Sequence, residues 1–141
     1  MDLTVIDKSK RLALAILAHG ILRIASSASG VLIGIYLASL SGNGVRVDAS
    51  LLGTLGAVSF AAELVASIPF GLASDAISPR WLMTMGALTG ALAVQLFGLS
   101  SHVPVFFLSR TLEGIGVAAV TPPLLGYLAE STSHNSGLGA R

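Results

Sequence analysis

Apolar positions in this chain come in long runs with little alternation. Four stretches, at about 12–40, 49–74, 81–99 and 103–129, are dominated by Ala, Leu, Ile, Val, Phe and Gly. A soluble helix sets an apolar stripe against a polar face, and a buried strand rarely runs beyond about eight residues. Crossing the hydrocarbon core of a bilayer takes about 20 apolar residues in a helix. The pattern predicts an all-α membrane protein with four spanning helices. The first run exceeds what a bilayer needs, so its helix is expected to tilt or to project beyond the membrane. Residues 1–11 and 130–141 are polar, as are the connections. Ser41 to Asp48 is turn-rich, Asp75 to Arg80 is short and closed by Ser78-Pro79, and Ser100 to Pro104 is a tight turn. Pro69 is expected to bend the second helix, and Pro122-Pro123 to kink or end the fourth. Lys8, Lys10 and Arg11 ahead of an apolar run imitate a signal peptide. The run is longer than the roughly 7–15 residues of a signal core, so it reads as a retained span.

Composition narrows the class further. Of 141 residues, 53% are hydrophobic and 11% charged, against about 25% charged in soluble domains. Mean hydropathy is +0.84. A net charge of +1 without any basic block gives nucleic acid no reason to bind. With no cysteine, disulfides and thiolate chemistry are excluded. His19, His102 and His134 stand in separate segments, so neither a metal nor another cofactor is expected. There is no Gly-x-Ser-x-Gly and no His-Glu-x-x-His, which argues against an enzyme.

The few charges inside the apolar runs are therefore the candidate chemistry. Arg23 lies in the first run, Glu63 in the second, and Arg110 and Glu113 in the fourth. A charge in lipid must point at a partner or a water-filled cavity, and such residues are functional by default. His19, Arg23, Ser26, Ser27 and Gly30 fall near one helix face, and Ser59, Glu63 and Ser67 share another. Glu63 needs a cation or a proton; Arg23 and Arg110 are the available cations. Two structural alternatives stand beside the functional reading. Arg110 and Glu113, at i, i+3, can form an ion pair that only holds the bundle, and Arg23 can snorkel to a membrane surface. Gly30 with Gly34, Gly86 with Gly90, and Gly114 with Gly116 remove side chains where helices can pack closely. The third run has no charge inside it, so it reads as scaffold, with Trp81 at the interface.

Two motifs carry a family resemblance. Gly71-Leu-Ala-Ser-Asp75-Ala-Ile-Ser-Pro-Arg80 resembles the cytosolic loop motif of the major facilitator superfamily, Gly-x-x-x-Asp-(Arg/Lys)-x-Gly-(Arg/Lys)-(Arg/Lys). Gly71, Asp75 and Arg80 match, while Ala76, Ser78 and Pro79 replace basic, glycine and basic positions. Arg110-Thr-Leu-Glu113-Gly114-Ile-Gly116-Val-Ala118 is similar to the fourth-helix motif Arg-x-x-(Gln)-Gly-x-Gly-x-Ala, with Glu113 at the glutamine place. The resemblance covers essentially the whole chain. It implies two six-helix halves built from 3+3 inverted repeats, with the substrate path between the halves. Ile21-Leu22-Arg23 and Leu108-Ser109-Arg110, in repeat-mate helices, fit that symmetry. On this resemblance the chain is expected to be the first part of a transporter's N-terminal half, completed by a remainder beyond it.

The resemblance implies secondary transport of a small molecule by alternating access, here proton-coupled efflux with the substrate and protons as partners. Arg110, Glu113, Glu63, Arg23 and His19 would line the proton-coupling cavity, and Gly71, Asp75 and Arg80 would form the cytosolic gate, weakened by the missing basic residues. The alternative is a four-helix membrane subunit that assembles with others and transports nothing. Orientation comes from Lys and Arg. With the N-terminus inside, Lys8, Lys10, Arg11, Arg80 and Arg141 are cytosolic and Arg46 is outside, which puts both termini in the cytosol, at the plasma membrane. Cysteines introduced at Asn43 and Ser101 should label from outside intact cells with an impermeant maleimide, and one at Ser136 should not. Labelling at 136 would reverse the assignment.

Overall fold

The computed structural model describes residues 3–40 and 47–136. They form four helices: α1 (Leu3–Leu40), α2 (Ala49–Ala76), α3 (Pro79–Gly98) and α4 (Val103–Ser136). Each contains a span long and apolar enough to cross a membrane: Ile16–Leu40, Ala49–Ala76, Pro79–Gly98 and Val103–Gly126. The loop expected at Ser41–Asp48, and with it Arg46, falls almost wholly outside the described residues, as does Arg141.

Two helices are longer than the polarity pattern suggests. α1 starts at Leu3, not near Leu12, so the basic segment is helical. Its 38 residues reach about 57 Å at 1.5 Å per residue, well beyond a hydrocarbon core of about 30 Å. Polarity marks where a helix leaves lipid, whereas helix formation needs only backbone hydrogen bonds and good formers such as Lys and Arg. α4 likewise runs through Pro122 and Pro123 to Ser136 and does not end near Ala129. The two prolines leave the carbonyls of Ala118 and Ala119 without helical donors. Both residues lie in the buried part of α4, where packing holds the helix. α2 passes Pro69 in the same way.

The helix ends that are visible have local causes. Asp48 caps α2 by accepting from the Leu51 amide at 2.8 Å. α2 stops because Pro79 disfavours helical backbone before it, and Ile77 and Ser78 turn extended. Pro79 then opens α3 at its first position, where a missing amide costs nothing.

α4 is the centre of the bundle. Of its spanning residues 56% are buried, against 6% for α1. Gly114 and Gly116 explain how α4 takes a helix on each side. A Cβ on Gly114 would run into the Ser59 carbonyl and the Glu63 amide of α2. A Cβ on Gly116 would lie 2.7 Å from the Gly86 carbonyl and 2.9 Å from the Gly90 amide of α3. Two residues apart on a helix means nearly opposite faces, so one glycine serves each neighbour. α1 packs mainly at one end, where Ile33 and Leu37 join Leu55, Phe97 and Phe106. Tyr36 sits edge-on to Phe97 and Phe106 with centroids 5.8 and 6.4 Å away, and its hydroxyl donates to the Ser100 carbonyl at 3.0 Å.

Gly30 and Gly34 do not pack. A Cβ at either meets nothing within 4 Å. The buried face of α1 runs through Ser26, Ser29, Ile33 and Leu37, and Gly30 lies off it. Gly116→Val should therefore destabilise the bundle by about 1–3 kcal/mol or more, since its clash is with backbone. Gly30→Ala should be close to neutral. Thermal melting in detergent compares the two; equal melting temperatures would show that α3 and α4 are not held at Gly116.

Candidate functional site

Four charged side chains meet at mid-depth, and they sort into two pairs. Arg110 Nη1 donates to Glu113 Oε2, with both side chains less than a tenth exposed. The i, i+3 spacing on α4 places them on neighbouring positions of one face. Arg110 Nε also donates to the Leu55 carbonyl of α2 at 3.4 Å. Ser26 of α1 donates to Glu113 Oε1 at 3.1 Å. Both oxygens of Glu113 are thus occupied.

The second pair joins α1 to α2. Arg23 Nη2 donates to Glu63 Oε1 at 2.9 Å, with the side chains 43% and 19% exposed. Arg23 therefore points at a partner and does not simply snorkel. Glu63 turns to Arg23 even though its own backbone lies against Gly114, one residue past Glu113. Arg110 faces its own helix neighbour, so the nearer backbone does not decide the pairing. Ser67 donates to the Glu63 carbonyl at 2.7 Å, and Ser59 is buried on the same face. His19 lies one turn before Arg23, half-buried, with Nδ1 buried and without a hydrogen-bond partner. Ser27, expected on this face, is exposed.

A cavity of about 200 Å³ lies between α1, α3 and α4. Ser26 and Glu113 supply its polar wall, and Gly86, Gly90 and Gly116 make room for it. Arg23 and Ser27 line a shallow groove on the outer side of α1. Among the described residues no group of three His, Cys, Asp or Glu comes together to hold a metal.

The residues of the loop motif sit at one end of the bundle. A Cβ on Gly71 would be 4.0 Å from Pro122 of α4, so the end of α2 rests on the proline pair. Ser74 donates to the Gly71 carbonyl at 2.7 Å. Asp75 and Arg80 are both exposed and do not pair with each other: the two ion pairs among the described residues involve neither. Asp75 ends α2 and Arg80 begins α3, and the extended Ile77 and Ser78 carry one away from the other.

Ser109, which the sequence shows only as part of the repeat around Arg110, has a packing role. It is 1% exposed and donates to the Ala93 carbonyl of α3 at 2.6 Å, fastening α3 to α4 one residue before Arg110. Its signal was a serine in an otherwise apolar turn. Ser26 belonged to the recognised stripe, but its bond to Glu113 depends on helix packing.

The Major Facilitator Superfamily family model matches residues 15–140. Multidrug resistance protein 2 of Bacillus subtilis (strain 168) is 29% identical over 89 residues, which is 63% of this chain and 22% of that protein. No solved structure matches.

Removing one member of a buried pair strands the other charge, which costs about 3–5 kcal/mol. Glu113→Ala should lower the melting temperature in detergent sharply, and Arg110→Ala with Glu113→Ala should recover most of the loss. If the double variant melts no higher than Glu113→Ala, the pair is not what balances these charges.

Proposed function

The chain belongs to the major facilitator superfamily and is an integral, multi-pass membrane protein, and on that premise we propose that it forms part of a secondary transporter exporting a small molecule in exchange for protons. Export is favoured by the multidrug resistance protein to which the chain is similar. The observation that carries the proton-coupled reading is the charge arrangement at mid-depth. Two arginines and two carboxylates from three helices are paired inside the apolar spans, and one carboxylate, Glu113, borders a cavity.

The reading assigns a part to each group. Lodging a single charge at mid-membrane costs at least about 2.5–3.5 kcal/mol on insertion scales. Arg110 offsets that cost for Glu113 by pairing with it at the cavity wall. Its planar fork matters because it serves Glu113 through Nη1 and Leu55 through Nε at once. The ordered exchange of proton and substrate would follow alternating access between two halves of the transporter. At the other end, Asp75 would bind the positive N-terminal end of a helix in one state of the cycle, an interaction of about 0.3–1 kcal/mol. The reading has Asp75 on the cytosolic side of the plasma membrane, with both termini of the chain, as the Lys and Arg distribution favours.

Transport separates this function from a purely structural role for the buried pair. Cells carrying the transporter should resist toxic compounds that it exports, and a protonophore should abolish the resistance. Arg110→Lys should retain part of it. Arg110→Ala with Glu113→Ala should melt near the parent yet give no resistance above background. Full resistance in that double variant would reduce Arg110 to a structural brace.

A further inference from the structure

The two ion pairs are not equivalent. Glu113 is held from two helices. Arg110 takes one carboxylate oxygen and Ser26 the other, and the side chain is 5% exposed. A proton arriving there would leave Arg110, itself only 9% exposed, without its counter-charge. Glu63 has one side-chain partner, bound through Oε1, and is 19% exposed. Its arginine is 43% exposed and borders an open groove with Ser27. When Glu63 is neutral, Arg23 is less enclosed by the bundle than Arg110 would be, its side chain being 43% exposed against 9%.

Resting on the proton-coupled reading above, we propose that Glu63, and not Glu113, is the carboxylate that gains and loses the coupling proton, with Arg23 as its release catch. The step balances simply. A hydronium ion gives a proton to a carboxylate oxygen of Glu63, forming a neutral carboxyl and water. Arg23 stays protonated throughout, as guanidinium does in proteins. The ion pair between α1 and α2 becomes a charged arginine beside a neutral acid, and the Coulombic attraction across that contact is lost.

The surroundings fit this division. The groups facing Glu63 are Arg23, with His19 one turn before it on α1, and the α4 pair Arg110 and Glu113, which close on each other. α3 brings no charged group into the layer; its Arg80 is exposed at the helix start. The unpartnered Nδ1 of His19 lies on the same stretch of α1, a polar atom placed to hydrate or to accept the proton on its way. The consequence for α1 is mechanical. Within the span it is tied to the bundle by the bonds from Arg23 and Ser26, so protonating Glu63 weakens one of the two.

Dicyclohexylcarbodiimide, an apolar reagent that modifies protonated carboxyls, tests this without any transport assay. The 141-residue chain in lipid nanodiscs is labelled between pH 5 and pH 9, and adducts are located by peptide mass spectrometry. Adduct at Glu63 should exceed that at Glu113 severalfold at low pH, and should fall about tenfold per unit of pH once above the titration midpoint. Arg23→Gln should extend Glu63 labelling to higher pH and leave Glu113 unlabelled, and Arg23→Lys should restore the parent profile. Glu113 labelling first, no adduct at Glu63 at any pH, or an unchanged profile in Arg23→Gln would each overturn the proposal. Labelling as expected in a protein whose resistance is indifferent to a protonophore would keep the titrating pair and overturn proton-driven export instead.

Discussion

The fold turns on the cost of a charge in lipid. Four charged side chains lie inside the apolar spans, and each is neutralised within the bundle. The pairings dictate neighbours: Arg110 with Glu113 is internal to α4, whereas Arg23 with Glu63 demands that α1 stand beside α2. Ser26 adds the tie between α1 and α4. Without these bonds nothing apolar at mid-depth would fix α1, because lipid solvates its leucines as well as protein does. Its apolar contacts are concentrated at one end, around Tyr36, Phe97 and Phe106.

Close approach of backbones does for α2, α3 and α4 what charge does for α1. Gly114 admits α2 on one side of α4, and Gly116 admits α3 on the other, against Gly86 and Gly90. Ser109 locks the α3 contact with a buried hydrogen bond. The same helix that carries the buried charges therefore also carries the tightest packing. Arg110 and Glu113 are fixed by that packing, while Arg23 lies on α1, where packing is sparse, and the Glu63 side chain turns toward it. Rigid and yielding polar contacts occur side by side in one layer.

Much of this was legible in the residues. Four spans follow from run length, and the charges worth attention follow from their rarity. The glycines of α3 and α4 were recognisable by spacing, but spacing could not separate them from Gly30 and Gly34, which face open space. The difference lies in which side of α1 meets the bundle, and that is settled by Ser29, Ile33 and Leu37. Polarity also misjudged the ends of α1 and α4, because a helix can leave lipid and remain a helix. The partner of Glu63 was open between two arginines. No sequence rule chooses Arg23 when the backbone of Glu63 is closer to α4. The exposed, unpaired Asp75 and Arg80 were hidden for a simpler reason: five residues apart, they sit on different helices leaving a turn in different directions.

The contrast between α1 and α4 also bears on how such a chain is made. A ribosome delivers α1 before α2, and although little of its surface is buried, its Arg23 finds Glu63 only once α2 has followed. α4 follows the other three described helices, with two charges and two interior prolines in its span, the least favourable of the four to release into lipid by itself. Its glycine faces need α2 and α3, and Arg110 needs the Leu55 carbonyl of α2. By the time α4 emerges, both helices have been synthesised and can receive it. Among the four described helices, the most demanding one thus follows in the chain the neighbours that its glycine faces and its arginine need.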